Sequence, residues 1–230
     1  MVISHRHRFL YFVVPKSASA TLRESLSPSV DIGWPVSRYV QHQTVRQFLG
    51  DEHAGRFDDY FKFTFVRNPY DRLYSGYLQD RFAAENFPRW KVAKQPVFDA
   101  IGDDFARYFH EHVAHADIRS DWRWICFCPM TEFACRDGEP TMDFVGRAEH
   151  LVEDMTRLGE RLGITLDKAP DKNVRTGLCT TQPKYLDRYD RATVALVNRL
   201  YREDFTLFGY EMFDPADFPA RVEPLVAEAS

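Results

Sequence analysis

An α/β fold, a single domain over residues 1–230 built on a central, P-loop-like parallel β-sheet flanked by helices, is what this sequence predicts. Two short apolar, β-favouring runs each stop at a proline and pass directly into a helical pattern, which is the grammar of buried strand, tight turn and helix. The chain has 230 residues, 44% hydrophobic and 28% charged, enough to bury one sizeable core. No repeat, low-complexity tract or Pro/Gly-rich linker divides it.

The first strand is expected at 8–14, where Arg8-Phe9-Leu10-Tyr11-Phe12-Val13-Val14 ends at Pro15. A loop of small and hydroxylated residues follows, then a helix over 21–26 carrying Leu22 and Leu26 on one face. The second strand is expected at 60–67, closed by Asn68 as helix cap and Pro69 as first helical residue. Tyr70, Leu73, Tyr74, Tyr77 and Leu78 then repeat at helical spacing, with Ser75 off that face. Further on, 96–114 reads as a helix, 142–145 as a short strand, 149–162 as a helix ended by Gly163, and 184–202 as a last helix. Thr44 caps a short helix, and the stretches 31–43 and 82–95 read as loops over the sheet edge.

A strand that runs through a small-residue loop into a helix turns backbone N–H groups and the positive end of the helix dipole toward an anion. Pro15-Lys16-Ser17-Ala18-Ser19-Ala20-Thr21-Leu22 adds a lysine and three hydroxyls to such a turn, without the order of a Walker loop and without a magnesium-binding aspartate after a matching strand. At the second turn, Arg67 ends the strand and Ser75 lies two turns into the helix, so one can offer a forked charge and the other a hydroxyl to a phosphate. The plainer alternative is an ion pair of Arg67 or Arg72 with Asp71 or another neighbouring acid.

These two segments resemble the paired nucleotide-binding signatures of the sulfotransferase superfamily, most closely its carbohydrate and glycosaminoglycan O-sulfotransferase branch. The likeness extends to Met142–Glu149 and to Leu200–Tyr210, so it covers most of the chain. It departs at Ala20, where a hydroxyl residue is frequent, and over 115–135. The resemblance implies 3′-phosphoadenosine-5′-phosphosulfate (PAPS) as co-substrate and PAP as product, with no metal. It implies that Lys16, Ser17, Ala18, Ser19, Ala20, Thr21 and Leu22 hold the 5′-phosphosulfate, that Arg67 and Ser75 hold the 3′-phosphate, and that Arg175, near Asn173 and Gly177, closes over the nucleotide. The acceptor it implies is a hydroxyl, a carbohydrate or glycoconjugate being favoured by the branch, with Lys16 stabilising the departing phosphate and a histidine between the two signatures as base. His42 fits that place, since histidine titrates near working pH; a hydrogen-bonded loop histidine is the alternative, His115 is the next candidate, and Glu24 and Asp121 follow.

Other features bound the reading. A formal charge of −4 argues against non-specific nucleic-acid binding. The apolar run 9–14 is too short to span a bilayer and has no signal-cleavage pattern, so a soluble cytoplasmic protein is expected. Cys126, Cys128 and Cys135 with His150 lack a zinc spacing, and in an oxidising compartment Cys126 and Cys135 could pair. His5, His7 and His53 are expected at the surface. Trp34, Trp90, Trp122 and Trp124 fall in expected loops or poorly matched stretches, available to stack on a sugar ring or to cover the core, while Arg147 could meet an acidic acceptor or pair with Glu149. The rival readings are a nucleotide-dependent kinase, which needs a magnesium site, and a non-catalytic PAP-binding module.

Overall fold

The computed structural model describes residues 1–31, 41–52, 54–166 and 185–221. In chain order its elements are β1 (Val2–Ser4), β2 (Phe9–Phe12), α1 (Ser19–Leu26), α2 (Val45–Leu49), β3 (Phe61–Val66), α3 (Pro69–Asn86), α4 (Pro88–Ile101), α5 (Phe105–Glu111), β4 (Cys135–Arg136), β5 (Glu139–Pro140), β6 (Phe144–Arg147), α6 (Leu151–Leu162), α7 (Arg191–Leu200) and α8 (Arg202–Phe208). They group into two units, Met1–Arg67 with Pro129–Arg175 and Asn68–Cys128 with Thr176–Ser230.

In the first unit a four-stranded sheet has the order β1-β2-β3-β6. β2, β3 and β6 are parallel, while β1 pairs antiparallel with β2. Both faces are covered, which is why β2 and the end of β3 read as continuous apolar runs. On one face Phe9, Tyr11, Val13, Phe63 and Phe65 pack with Leu22 and Leu26 of α1 and with Met155 and Leu158 of α6. On the other, Phe12 meets Phe48 of α2 edge to face at 5.5 Å. Gly146 lies opposite Phe65 in the register, and any Cβ there would stand 2.4 Å from the Phe65 ring.

The second unit is helical. Asn68 caps α3 by accepting from the Tyr70 N–H at 3.0 Å, with Pro69 at the first position. The inward residues Tyr70, Leu73 and Tyr77 join Phe98, Phe105, Tyr108, Phe127, Tyr189 and Tyr201 in an aromatic core. Two cations are buried inside it. Arg72 donates to the Cys126 carbonyl at 3.1 Å and stands 3.8 Å from Asp204. Lys94 meets Asp80 at 3.0 Å and the Tyr108 hydroxyl at 3.1 Å, and that hydroxyl donates to Asp80 at 2.6 Å.

Several expected boundaries are corrected. The sheet begins with β1 rather than with the run at 8–14, and it is mixed rather than all parallel. Residues 82–86 and 88–95 are helical rather than a loop, joined at Phe87, because α3 runs on to Asn86, Pro88 starts α4 and Pro96 is tolerated within it. The helix expected over 96–114 breaks at Gly102, whose φ of 65° ends α4, and restarts at Asp104, whose carboxylate accepts from the Arg107 N–H at 2.9 Å. The last helix starts at Arg191 because Asp190 caps it, accepting from the Thr193 N–H at 2.8 Å, and Tyr201 separates α7 from α8. The strand expected at 142–145 lies at Phe144–Arg147, because Asp143 exchanges two 2.7 Å bonds with Lys62 just before the ladder. The Thr44 cap of α2 and the Gly163 end of α6 are as expected.

Candidate active site

Within the first unit the loop after β2 is set by backbone conformation. Val13, Val14 and Pro15 are buried, and the chain then turns through two non-glycine residues with positive φ, Lys16 at 66° and Ala18 at 56°. Such residues cost on the order of 1–3 kcal/mol each and persist where the surrounding fold enforces them, commonly at ligand sites. Alternation of left-handed residues with ordinary ones turns successive N–H groups toward one concavity, a geometry suited to anions. α1 begins at Ser19 with Ala18 as its cap, and no side chain caps it.

Ser17, between the two left-handed residues, is fully buried, and its hydroxyl has no hydrogen-bond partner. A buried hydroxyl left unpaired is costly, and a phosphate or sulfate oxygen is the partner its place in the loop suits. Arg67, at the end of β3, donates to the Lys16 carbonyl at 3.1 Å and so braces the loop from the neighbouring strand. Ser19 and Thr21 are half-buried in the first turn of α1, and Ala20 is exposed. The Leu22 side chain lies in the core, and its N–H bonds the Ala18 carbonyl at 3.1 Å.

His42 is half-buried and its Nδ1 lies 2.8 Å from the Val13 carbonyl. A carbonyl only accepts, so Nδ1 carries the proton and Nε2 keeps its lone pair. Burial lowers the pKa of His42 to about 4; the Val13 bond opposes this, and the charges of Arg23 and Lys16 add to the lowering. The imidazole is therefore neutral at neutral pH. Arg23, whose Nε donates to the Ser19 carbonyl at 3.2 Å, was not singled out in the sequence; its position one turn after Ser19 on α1 was the available signal.

Within the first unit Lys16 and Ser17 lie in the loop between β2 and α1, Arg67 follows β3 directly, and His42 precedes α2 with its ring on the Val13 carbonyl. Ser75 lies half-buried on α3 of the second unit, and His115, also there, is exposed. Glu24 is exposed, and the Asp121 carboxylate is taken up by Arg123 at 2.6 Å. Of the surface histidines His5 is exposed and His7 half-buried. Arg147 donates its N–H to Asp154 at 2.6 Å. Trp90 is on α4, and Trp122 and Trp124 are on the 3₁₀ turn Trp122–Phe127. Arg175, Asn173, Gly177, His53, Trp34 and Cys179 lie outside the described residues.

Among the described residues no three His, Cys, Asp or Glu side chains stand together as a metal site, and no helix is long and apolar enough to cross a membrane. Burial pushes the Cys128 thiol up to about 12. A shallow cleft of about 290 Å³ in the second unit is lined by Asp104, Arg107, His110, Asp190 and Arg221 and contains none of the expected site residues.

The model of the sulfotransferase family matches residues 1–211. Carbohydrate sulfotransferase 14 of Homo sapiens is 30% identical over 181 residues, 70% of this chain and 46% of that protein. The same enzyme of Danio rerio is 27% identical over 244 residues, 92% of this chain and 62% of that protein. Carbohydrate sulfotransferase 12 of Xenopus laevis is 22% identical over 259 residues, covering 91% and 60%. The chain spans about half to three fifths of the length of these relatives. No solved structure matches it. Neither the family nor the relatives' names support the cytoplasmic placement read from the sequence. With the family model matched from the first strand through α8, this chain belongs to the sulfotransferase family.

Proposed function

We propose that the chain transfers a sulfuryl group from PAPS to a hydroxyl of a carbohydrate acceptor. The observation that carries this reading is the buried, unpartnered Ser17 hydroxyl between two left-handed residues at the uncapped start of α1. The carbohydrate part rests on the names of the relatives, which are carbohydrate sulfotransferases.

The donor brings the sulfuryl group together with its own leaving phosphate. Ser17 donates its hydroxyl proton to an anionic oxygen, alongside the first-turn N–H groups of α1. Lys16 sets its ammonium against the phosphate oxygen on which negative charge grows as the S–O bond breaks. Arg67 holds the loop through the Lys16 carbonyl and offers charge to the nucleotide. His42 Nε2 takes the proton of the attacking hydroxyl as the new O–S bond forms, while its Nδ1–H stays on the Val13 carbonyl. Roles for Ser75 and Arg175 rest on the sequence resemblance alone.

The test is transfer of labelled sulfate from PAPS to a panel of saccharides, with and without His42→Ala. Transfer that the substitution abolishes supports the reading. PAP binding with no transfer to any acceptor points to a non-catalytic nucleotide-binding module, and turnover of ATP with magnesium points to a kinase.

A further inference from the structure

The turn joining α3 to α4 carries apolar surface that the fold leaves uncovered. Phe82 near the end of α3, Phe87 in the turn and Val92 on α4 are 51%, 48% and 82% exposed, and Trp122 is 44% exposed. Two pairs of rings touch here: Phe82 meets Phe87 edge to face at 5.9 Å, and Trp90 meets Trp122 likewise at 5.2 Å. α4 fills its inward face with Lys94, Phe98 and Ile101, and Val92 lies about 200° round the helix from Lys94. Exposed apolar residues scattered singly are ordinary, but three within eleven positions around the turn from α3 to α4, two of them in ring contact, suit a contact surface.

Cations accompany that surface. Arg89 and Lys91 are exposed, and 87–95 contains no acid. Arg89 lies over the Trp122 ring, 3.7 Å from its centroid. The nearby acids are already engaged: Glu85 pairs with Arg81 at 3.5 Å, and Asp121 holds Arg123.

We propose that this corner docks on a lipid surface bearing anionic headgroups, with Phe82, Phe87 and Val92 entering the apolar boundary and Arg89 and Lys91 meeting the headgroups. Indole rings favour that boundary, and long cationic side chains reach back from it to the polar layer. A second copy of the chain fits less well, since pairing the corner with itself sets Arg89 and Lys91 against their own kind. A saccharide also fits less well: Arg89 already covers a face of Trp122, and Val92 and Phe82 offer nothing to a hydroxylated ring.

Vesicle flotation of the whole chain tests this, using phosphatidylcholine alone and phosphatidylcholine with about 30 mol% phosphatidylserine. The chain should float with the anionic vesicles, more weakly in about 0.5 M salt. Val92→Asp should cut binding about ten-fold or more, and Lys91→Glu about five-fold or more. Both variants replace exposed side chains, so melting temperature and PAP binding should stay unchanged. The proposal is overturned by no flotation with either vesicle, or by flotation that Val92→Asp with Phe87→Ser leaves intact. A dimer dissolved by Val92→Asp would assign the corner to a second copy, and retention on a sulfated polysaccharide lost in Lys91→Glu but kept in Val92→Asp would assign it to a glycan. Loss of the donor-site reading, seen as absent PAP binding, would leave the vesicle result standing.

Discussion

His42 gives its Nδ1 proton to the carbonyl of Val13 over 2.8 Å, and three residues later the same backbone enters the left-handed turn at Lys16. One strand end therefore fixes the tautomer of His42 and leads into the left-handed turn. In the proposed mechanism the duties are separate: His42 would act on the acceptor proton and the loop on the donor. His42→Ala should lower kcat by about 10²–10⁴-fold while leaving PAP binding within about two-fold. Steady-state kinetics beside calorimetry would check this, and a matching loss of PAP affinity would place His42 in the donor site instead.

The lowered pKa of His42 has two pH consequences. In the free enzyme the acid limb of kcat/KM should fall near pH 4 rather than near 6.5. Stability follows the same group: below pH 6.5 the unfolded chain protonates this histidine while the folded chain does not until about pH 4, so stability is lost as pH falls through that window. From pH 6.5 to 5 the loss attributable to His42 is about 2 kcal/mol, at about 1.4 kcal/mol per pH unit. Urea unfolding at pH 7 and pH 5 should show His42→Ala losing less than wild type by that amount.

Ser17→Ala should act in opposite directions on stability and binding. Removing a buried hydroxyl that has no partner relieves about 1 kcal/mol in the unliganded protein. The same change should weaken PAP binding about ten-fold, since the missing group is the one proposed to meet the anion. Thermal melts with and without PAP would resolve the two effects, and a variant that melts lower yet binds normally would show the hydroxyl to be structural.

The parallel strands and the caps at Asn68 and Thr44 were legible because each depends on a few adjacent residues: an apolar run, a proline and a polar cap. β1 was missed because three residues give no period to read. The hairpin of β4 and β5 had a signal that was not used, the Asp137-Gly138 pair, which adopts φ of 51° and 86° in its two-residue turn. Lys16, Arg67 and His42 could be named from spacing, but the Arg67 bond to the Lys16 carbonyl joins residues 51 positions apart and exists only in the folded sheet. Leu22 and Leu26 were legible as one apolar face of α1 from their spacing, and the structure packs that face against the sheet.

Two substitutions test the packing of each unit. Gly146→Ala should cost about 1–3 kcal/mol, because its Cβ would stand 2.4 Å from the Phe65 ring, and Phe65→Leu in the same chain should recover part of it. Lys94→Met leaves Asp80 buried without its cation and should cost about 3–5 kcal/mol, whereas Lys94→Met with Asp80→Leu should cost less. Denaturant unfolding of the singles and doubles gives these numbers, and equal losses for Lys94→Met and its double would contradict the charge argument.

Calorimetric titration of PAP into wild type and Arg67→Ala, without added metal, weighs the donor-site reading itself. The account predicts micromolar or tighter binding by wild type, weakened at least ten-fold in Arg67→Ala with the fold intact. A well-folded wild type that binds no PAP would contradict it.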